Sequence, residues 1–338
     1  MRIATSAGPA VLGPAGAAPA RRPGSIRRTS TIDCSWPSGT GAETVLEGRA
    51  RDLVTLDDGR TRSLGDARLD VVTGRDKRIV SIASMPVLPG LADLVESHSI
   101  SGYRAGLAAA APAEVGAATL LHSLLDDIPG ASLVSRYAIT RWGGAAPTGD
   151  PVRGADRPRR SVVGVCTGFQ PGSSAINEDG TARLPSAEVE VAEIDAGDDL
   201  LAWHPLVEVA GPSMRRSRRT DVRVEDGRIR VEAFYQDSCL VPDGSRRGLH
   251  EYTLTATVDL RTGELLELTP QPRVLPHGEC PLAVLQVGRL VGTPVADLRR
   301  RVSRELRGTA GCTHLNDTVR ALADVPVLAA TALSALDS

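Results

Sequence analysis

Twice along this chain, strand-like runs are closed by a Leu-Pro step and followed by helical stretches, and that repeated plan constrains the fold more than any single motif. The first set of runs lies near 44–56, 66–73 and 78–84, after an ordered start at Arg27-Arg28-Thr29-Ser30-Thr31-Ile32-Asp33, with turn signals at Asp57-Asp58-Gly59 and Thr73-Gly74. Val87-Leu88-Pro89-Gly90 stops it. Helices are expected from about 91 and over 112–127, the second opened by Pro112 with Glu114 in its first turn and ended by Ile128-Pro129-Gly130. A strand is expected near 131–141, a loop over 143–160, and strands near 161–168 and 187–196. The second set begins with a hairpin, Arg218–Glu225 and Arg228–Asp237 about the turn Glu225-Asp226-Gly227, which puts Ile229, Val231, Ala233 and Tyr235 on one face. His250–Asp259 alternates likewise, Arg261-Thr262-Gly263 turns into a strand near 264–269, and helices are expected over 281–291, 294–307 and 314–324.

Met85-Pro86-Val87-Leu88-Pro89-Gly90 and Arg273-Val274-Leu275-Pro276-His277-Gly278 each close a meander and open a helical block, which points to an old duplication. The expected class is α+β, with two pseudo-repeated halves, each an antiparallel β-meander followed by helices. The expected boundaries are a disordered tail over 1–25, an N-terminal half over 26–142, a loop-rich connection with strands over 143–217, a C-terminal half over 218–326 and a tail over 327–338.

Composition removes several chemistries. Lys77 is the only lysine among 39 basic residues and lies in Gly74-Arg75-Asp76-Lys77-Arg78, so a phosphate loop ending in Gly-Lys is impossible. The same charged turn is the wrong setting for a Schiff-base lysine, and neither a pyridoxal nor a nucleotide cofactor is expected. There is no G-x-S-x-G elbow, no H-E-x-x-H and no dinucleotide fingerprint. A net charge of −2 and 3% aromatic residues argue against nucleic acid as a partner. No apolar run is read as long enough to span a membrane, and the N-terminus lacks the apolar centre of a secretory signal, so a cytoplasmic protein is expected. The partner is then a small-molecule substrate or another protein.

Five cysteines, Cys34, Cys166, Cys239, Cys280 and Cys312, show no close pairing, and a reducing compartment keeps them free. Three draw notice. Cys312-Thr313-His314 follows the flexible run Gly308-Thr309-Ala310-Gly311 and stands at a helix start, where backbone N–H groups favour a thiolate. Cys280 precedes Pro281 at another helix start. Cys239 follows Asp237, which shares the apolar parity of its strand. Thiolate, imidazole and carboxylate are the ligands of zinc and iron, so Cys312, His314, Cys280, Cys239 and Asp237 form the candidate metal set. Joint ligation by Cys312 and His314 requires Cys312 to lie in the helix cap. Each lone cysteine has a bland alternative as a small core residue.

His250 opens the face shared with Tyr252 and Leu254, and with Asp237 it forms the candidate acid/base pair. Its alternative is a core histidine bonded to backbone. His277 reads as exposed, His204 as a pocket wall, and His122 with Asp126 as a local helical pair. Arg215, Arg216, Arg218 and Arg219 read as a solvated edge, or as a grip on an anionic substrate. Three functions follow: a zinc or iron protein, acting as an enzyme on a small organic acid or acyl substrate if a coordination position stays open; a scaffold carrying an iron–sulfur cluster or sulfur; and a metal-free acid/base enzyme with a cleft between the halves.

Arg27-Arg28-Thr29-Ser30-Thr31-Ile32-Asp33, Leu124-Leu125-Asp126-Asp127-Ile128-Pro129-Gly130-Ala131, Leu249-His250-Glu251-Tyr252-Thr253 and Gly311-Cys312-Thr313-His314-Leu315-Asn316-Asp317 together resemble the bacterial family known as domain of unknown function 2889, over about 27 to 325. The resemblance implies no activity. The order of Asp237, Cys239, Cys280, Cys312 and His314 also resembles the NifU/IscU-type iron–sulfur scaffolds. It departs from their pattern where Asp237 precedes Cys239 and where one residue separates Cys312 from His314.

Overall fold

The computed structural model describes residues 9–143, 161–185 and 189–336. Its frame is one antiparallel sheet of nine strands: β1 (Ser25–Ser35), β2 (Thr44–Thr55), β3 (Thr61–Thr73), β4 (Ile79–Met85), β5 (Val189–Val191), β6 (Ser213–Glu225), β7 (Arg228–Leu240), β8 (Arg246–Asp259) and β9 (Leu265–Val274). The order is β4-β3-β2-β1-β6-β7-β8, with β5 and β9 sharing the outer edge of β8. The two meanders therefore join in the middle, where β1 runs against β6 from Ser25↔Arg223 to Ser35↔Ser213. Arg27 reaches Asp221 and Arg215 reaches Asp33 across this seam, at 2.5 and 2.7 Å, so the pseudo-two-fold is written into reciprocal ion pairs. The α+β class and the two-meander plan stand, and β1 adds a fourth strand to the first meander.

Both helical blocks cover the same face of the sheet. In the N-terminal half these are α1 (Tyr103–Ala110), α2 (Pro112–Ala117), α3 (Leu120–Val134) and α4 (Tyr137–Arg141). Leu121, Leu124, Leu125, Ile128 and Ala131 of α3 pack on Ile32, Leu46, Ala50 and Leu69. In the C-terminal half, α5 (Val284–Val287), α6 (Leu298–Glu305), α7 (Thr313–Ala321) and α8 (Val325–Leu336) bury Val287, Leu298, Val302, Leu315, Val319 and Leu328 against Val231, Tyr235, Tyr252 and Leu254. α3 and α7 meet over the seam.

Several expectations give way here. The strand foreseen near 131–141 is the end of α3 and all of α4, because Ala131, Val134, Ala138 and Ile139 bury at helical rather than alternate spacing. Pro129-Gly130 sits inside α3 rather than ending it. Gly130 is there because the Arg216 guanidinium occupies the place where a Cβ would be. Residues 161–168 form turns and the start of a short 3-10 segment, Thr167–Phe169, not a strand. Only Val189–Val191 of the strand foreseen over 187–196 forms, and 144–160 and 186–188 lie outside the described residues. The tail foreseen over 327–338 is mostly α8, whose Leu328, Ala329, Ala332 and Ala335 are buried.

The opposite face of the sheet is covered in part by two irregular segments. Residues 9–24, foreseen as a disordered tail, run along it: Leu12 N donates to Pro272 O, Ala15 N to Glu251, and Arg21 pairs with Asp199. Trp203 packs edge-on to Phe234, and Arg51 donates to the Leu201 and Trp203 carbonyls. The helical run Thr313–Leu336 is the one run among the described residues long and apolar enough to cross a membrane, contrary to expectation, and 56% of its most apolar window is buried. α7 and α8 lie on β1, β6 and β7.

Candidate metal centre

The central strands line up one row of polar residues on the helix-covered face. Arg216 of β6 stands opposite Asp237 of β7, and Asp237 stands opposite His250 of β8. Past this row the β7/β8 register slips, with Leu249 as the extra residue, and such a bulge re-aims the side chain beside it. α7 then lowers His314 onto the row. The two imidazoles stack with centroids 3.4 Å apart and planes inclined by 17°.

Asp237 is fully buried, and its surroundings keep it charged. Arg216 donates to both carboxylate oxygens at 2.9 and 3.2 Å, and Tyr235 Oη donates to Oδ2 at 2.6 Å. Burial would raise the carboxyl, but the Arg216 guanidinium and the two imidazoles outweigh it and hold it well below the usual carboxylate range. Burial pushes both imidazoles the other way, toward the neutral form, with Asp237 opposing the shift and each other's proximity adding to it at His314. His250 Nδ1 lies 3.3 Å and His314 Nε2 3.6 Å from Asp237 Oδ2, so the carboxylate faces both buried rings, and neither nitrogen makes a regular hydrogen bond.

Two neutral ring nitrogens and one anionic oxygen, all within 4.8 Å of one another, are a donor set for a metal ion. Two bonds of about 2.0–2.1 Å at a tetrahedral angle separate ligand atoms by about 3.3 Å, close to the distance of each ring nitrogen from Oδ2, and the nearly parallel rings must turn out of their stack for both lone pairs to meet one ion.

Of the residues singled out in the sequence, Asp237, His250 and His314 converge. Cys312 does lie in the cap of α7, as joint ligation required, but its Sγ sits 3.7 Å from Nδ1 of His314, the nitrogen turned away from Asp237. Tyr252 Oη donates to the same sulfur at 3.6 Å. Burial pushes this thiol up to about 11, against the lowering by the helix-cap N–H groups, so the thiolate foreseen at the helix start does not form at neutral pH. Cys280 is buried over Gly168 beside Cys166, its thiol raised by burial. Cys239 packs with Cys34 and Met214 under the N-terminal helices, raised to about 11. No cysteine joins a three-ligand group among the described residues.

The other candidates resolve as packing. The Arg215–Arg219 run is not a solvated edge: Arg216 is 1% exposed and also meets Asp317 and Asp127 at 3.3 and 3.6 Å, and Arg218 pairs with Asp127. His204 is buried between the Thr29 and Thr31 hydroxyls. His277 is half-buried against Phe169, and His122 lies nearest Arg299 while Asp126 serves Arg104 and Arg320. Sequence reasoning missed Arg216 and Tyr235 as partners of Asp237. Tyr235 had a signal, the shared parity with Asp237.

Fold and cluster together define an α+β protein that, among the described residues, has nine antiparallel strands and carries one buried Asp/His/His group in its C-terminal half. Residues 214–328 match the model of the family described as Protein of unknown function (DUF2889), a narrower span than the sequence motifs suggested. That span holds Arg216, Asp237, His250, Cys312 and His314 and leaves out β1 to β4 and their helices. No curated protein and no solved structure matches the chain.

Proposed function

We propose that the C-terminal half binds a transition-metal ion, zinc or iron, through Asp237 Oδ2, His250 Nδ1 and His314 Nε2. The observation that carries this reading is the pair of buried ring nitrogens that make no regular hydrogen bond, both turned to one carboxylate oxygen. Leaving such groups unsatisfied costs about 1–3 kcal/mol each, and an ion would satisfy both at once. Three protein ligands leave at least one position for water or a substrate oxygen, the pattern of catalytic rather than structural sites. When bound, the ion would supply Lewis-acid or water-activating chemistry. Arg216 and Tyr235 would orient the carboxylate, and Cys312 would fix the His314 ring from its other nitrogen. A small organic acid or acyl compound suits such a centre as substrate, and the five unpaired thiols suit a cytoplasmic setting.

The test is elemental analysis of protein purified without chelator, beside His250→Ala and His314→Ala. The reading expects near-stoichiometric zinc or iron, lost in both variants. Folded wild-type protein that holds no metal and takes up no cobalt(II) would overturn it. A second reading has its own observation: Asp237 already accepts three hydrogen bonds, as the orienting member of a metal-free acid/base pair with His250 would. It expects chelators to change nothing. The scaffold reading loses its geometric support, since Cys239 packs away from Cys312.

A further inference from the structure

We infer that the cavity on the outer side of α7 binds an anion, the carboxylate or phosphate of a small ligand. The cavity has a volume of about 300 Å³ and lies between the end of α6, the Gly311–Thr313 cap, the Asn316 and Arg320 side of α7 and Val165-Cys166. Three guanidinium groups line it, Arg104, Arg307 and Arg320, against a single lining carboxylate, Asp317. That carboxylate is already taken, by Arg104 at 2.7 Å and Arg216 at 3.3 Å. Arg320 is nine-tenths buried and spends its terminal nitrogens on Asp126, Ser303 and the Arg299 carbonyl, and its Nε is buried out of the cavity's reach, so it contributes charge to the wall. Arg307 is exposed and pairs with none of the described residues.

An excess of guanidinium charge around a concave surface, with the exposed Arg307 fork unspent, recruits an anion, and that planar fork fits carboxylate and phosphate oxygens two at a time. The volume stands at the lower end of small-molecule pockets, which selects a small acid over a nucleotide. The wall is also tied to the centre. Arg104 holds Asp317, Asp317 holds Arg216, and Arg216 holds Asp237. An anion drawing on Arg104 would therefore be felt at the Asp237 carboxylate. Its role as the acid group of a substrate rests on the metal reading above; anion binding by itself does not.

The experiment is calorimetric titration of the full chain with inorganic phosphate and, separately, with acetate, for wild type and Arg307→Ala, with metal content measured on the same samples. Expected is saturable binding of at least one of the two anions, weakened by about tenfold or more in Arg307→Ala, as loss of a charge-assisted pair implies. Preference for phosphate over acetate, or the reverse, names the ligand's acid group. Absence of saturable binding to wild type, or equal binding by the variant, overturns the inference. Metal without anion binding would sink the cavity and spare the centre, and anion binding without metal would do the opposite.

Discussion

The two halves of this molecule share a frame and differ at one spot. In the C-terminal half the row across three strands reads Arg216, Asp237, His250. In the N-terminal half the corresponding row reads Arg28, Asp52, Gly65. Arg28 holds Asp52 with two hydrogen bonds, at 2.8 and 2.7 Å, as Arg216 holds Asp237. The register slips just past the row in both, with Leu64 and Leu249 as the extra residues. Then the likeness stops. Gly65 stands where His250 does, and Leu120 of α3 lies over it, 3.7 Å from where a side chain would begin, as His314 lies over His250. Ala50 takes the place of Tyr235. The comparison separates scaffold from site. The buried Arg–Asp pair and the bulge recur without histidines, so they belong to the fold, and the stacked imidazoles are what the C-terminal half adds.

The largest effect should come from breaking the shared element in each half. Asp237→Asn and Asp52→Asn each leave a buried guanidinium short of its carboxylate, and each should cost about 3–5 kcal/mol in urea unfolding. Only Asp237→Asn should also lose metal. Equal metal content in the two variants would remove Asp237 from the ligand set.

Next in size is a contrast between two glycines. A Cβ at Gly130 would fall on the Arg216 guanidinium, so Gly130→Ala should cost about 1–3 kcal/mol through overpacking and displacement of that side chain. A Cβ at Gly65 meets only Leu120 at ordinary contact distance, and Gly65→Ala should stay within about 0.5 kcal/mol of wild type. Comparable losses at both positions, by chemical denaturation, would refute the idea that the N-terminal half has room to spare.

How far the sequence exposed this layout depends on which forces act locally. Strands β7 and β8 were legible because Ile229, Val231, Ala233 and Tyr235 alternate between tight turns, and the α+β plan followed. Of β6 only Arg218–Glu225 was legible, since the run Arg215–Arg219 reads as a solvated edge until the carboxylates of Arg216 and Arg218 arrive from α3, α7 and β7 and that of Arg215 from β1. Residues 131–141 misled because a short apolar run fits either period. At the centre, Asp237, His250 and His314 were each named from the sequence, but beside Cys239 and Cys280. Ligand chemistry nominates thiols and imidazoles alike, and only the β7/β8 register and the descent of α7 decide which of them meet.

A third prediction uses the opposite face, where His204 is neutral in the fold. Burial, aided by Arg51 and Arg215, takes its pKa down to about 3. The unfolded chain binds a proton near pH 6.5 and the folded chain does not, so stability is full above that pH and falls as the pH drops toward about 3. The slope is about 1.4 kcal/mol per pH unit, which makes the loss about 2 kcal/mol at pH 5. Urea midpoints at pH 7 and pH 5 should diverge less in His204→Gln than in wild type. An unchanged divergence would remove His204 as its cause.

The smallest expected effect is the most informative about the two halves. The double variant His250→Gly, His314→Leu rewrites the C-terminal row as its N-terminal counterpart. In metal-free protein it removes two buried ring nitrogens that make no regular hydrogen bond, which offsets the packing lost with the rings, and stability should change by less than about 1 kcal/mol. Metal binding should vanish. A loss of several kcal/mol in the metal-free state would instead make the stacked pair part of the core and take away the main support for the centre. Near-neutral stability with metal gone would show that the histidines are kept for what they bind, because the other half of the same molecule already folds without them.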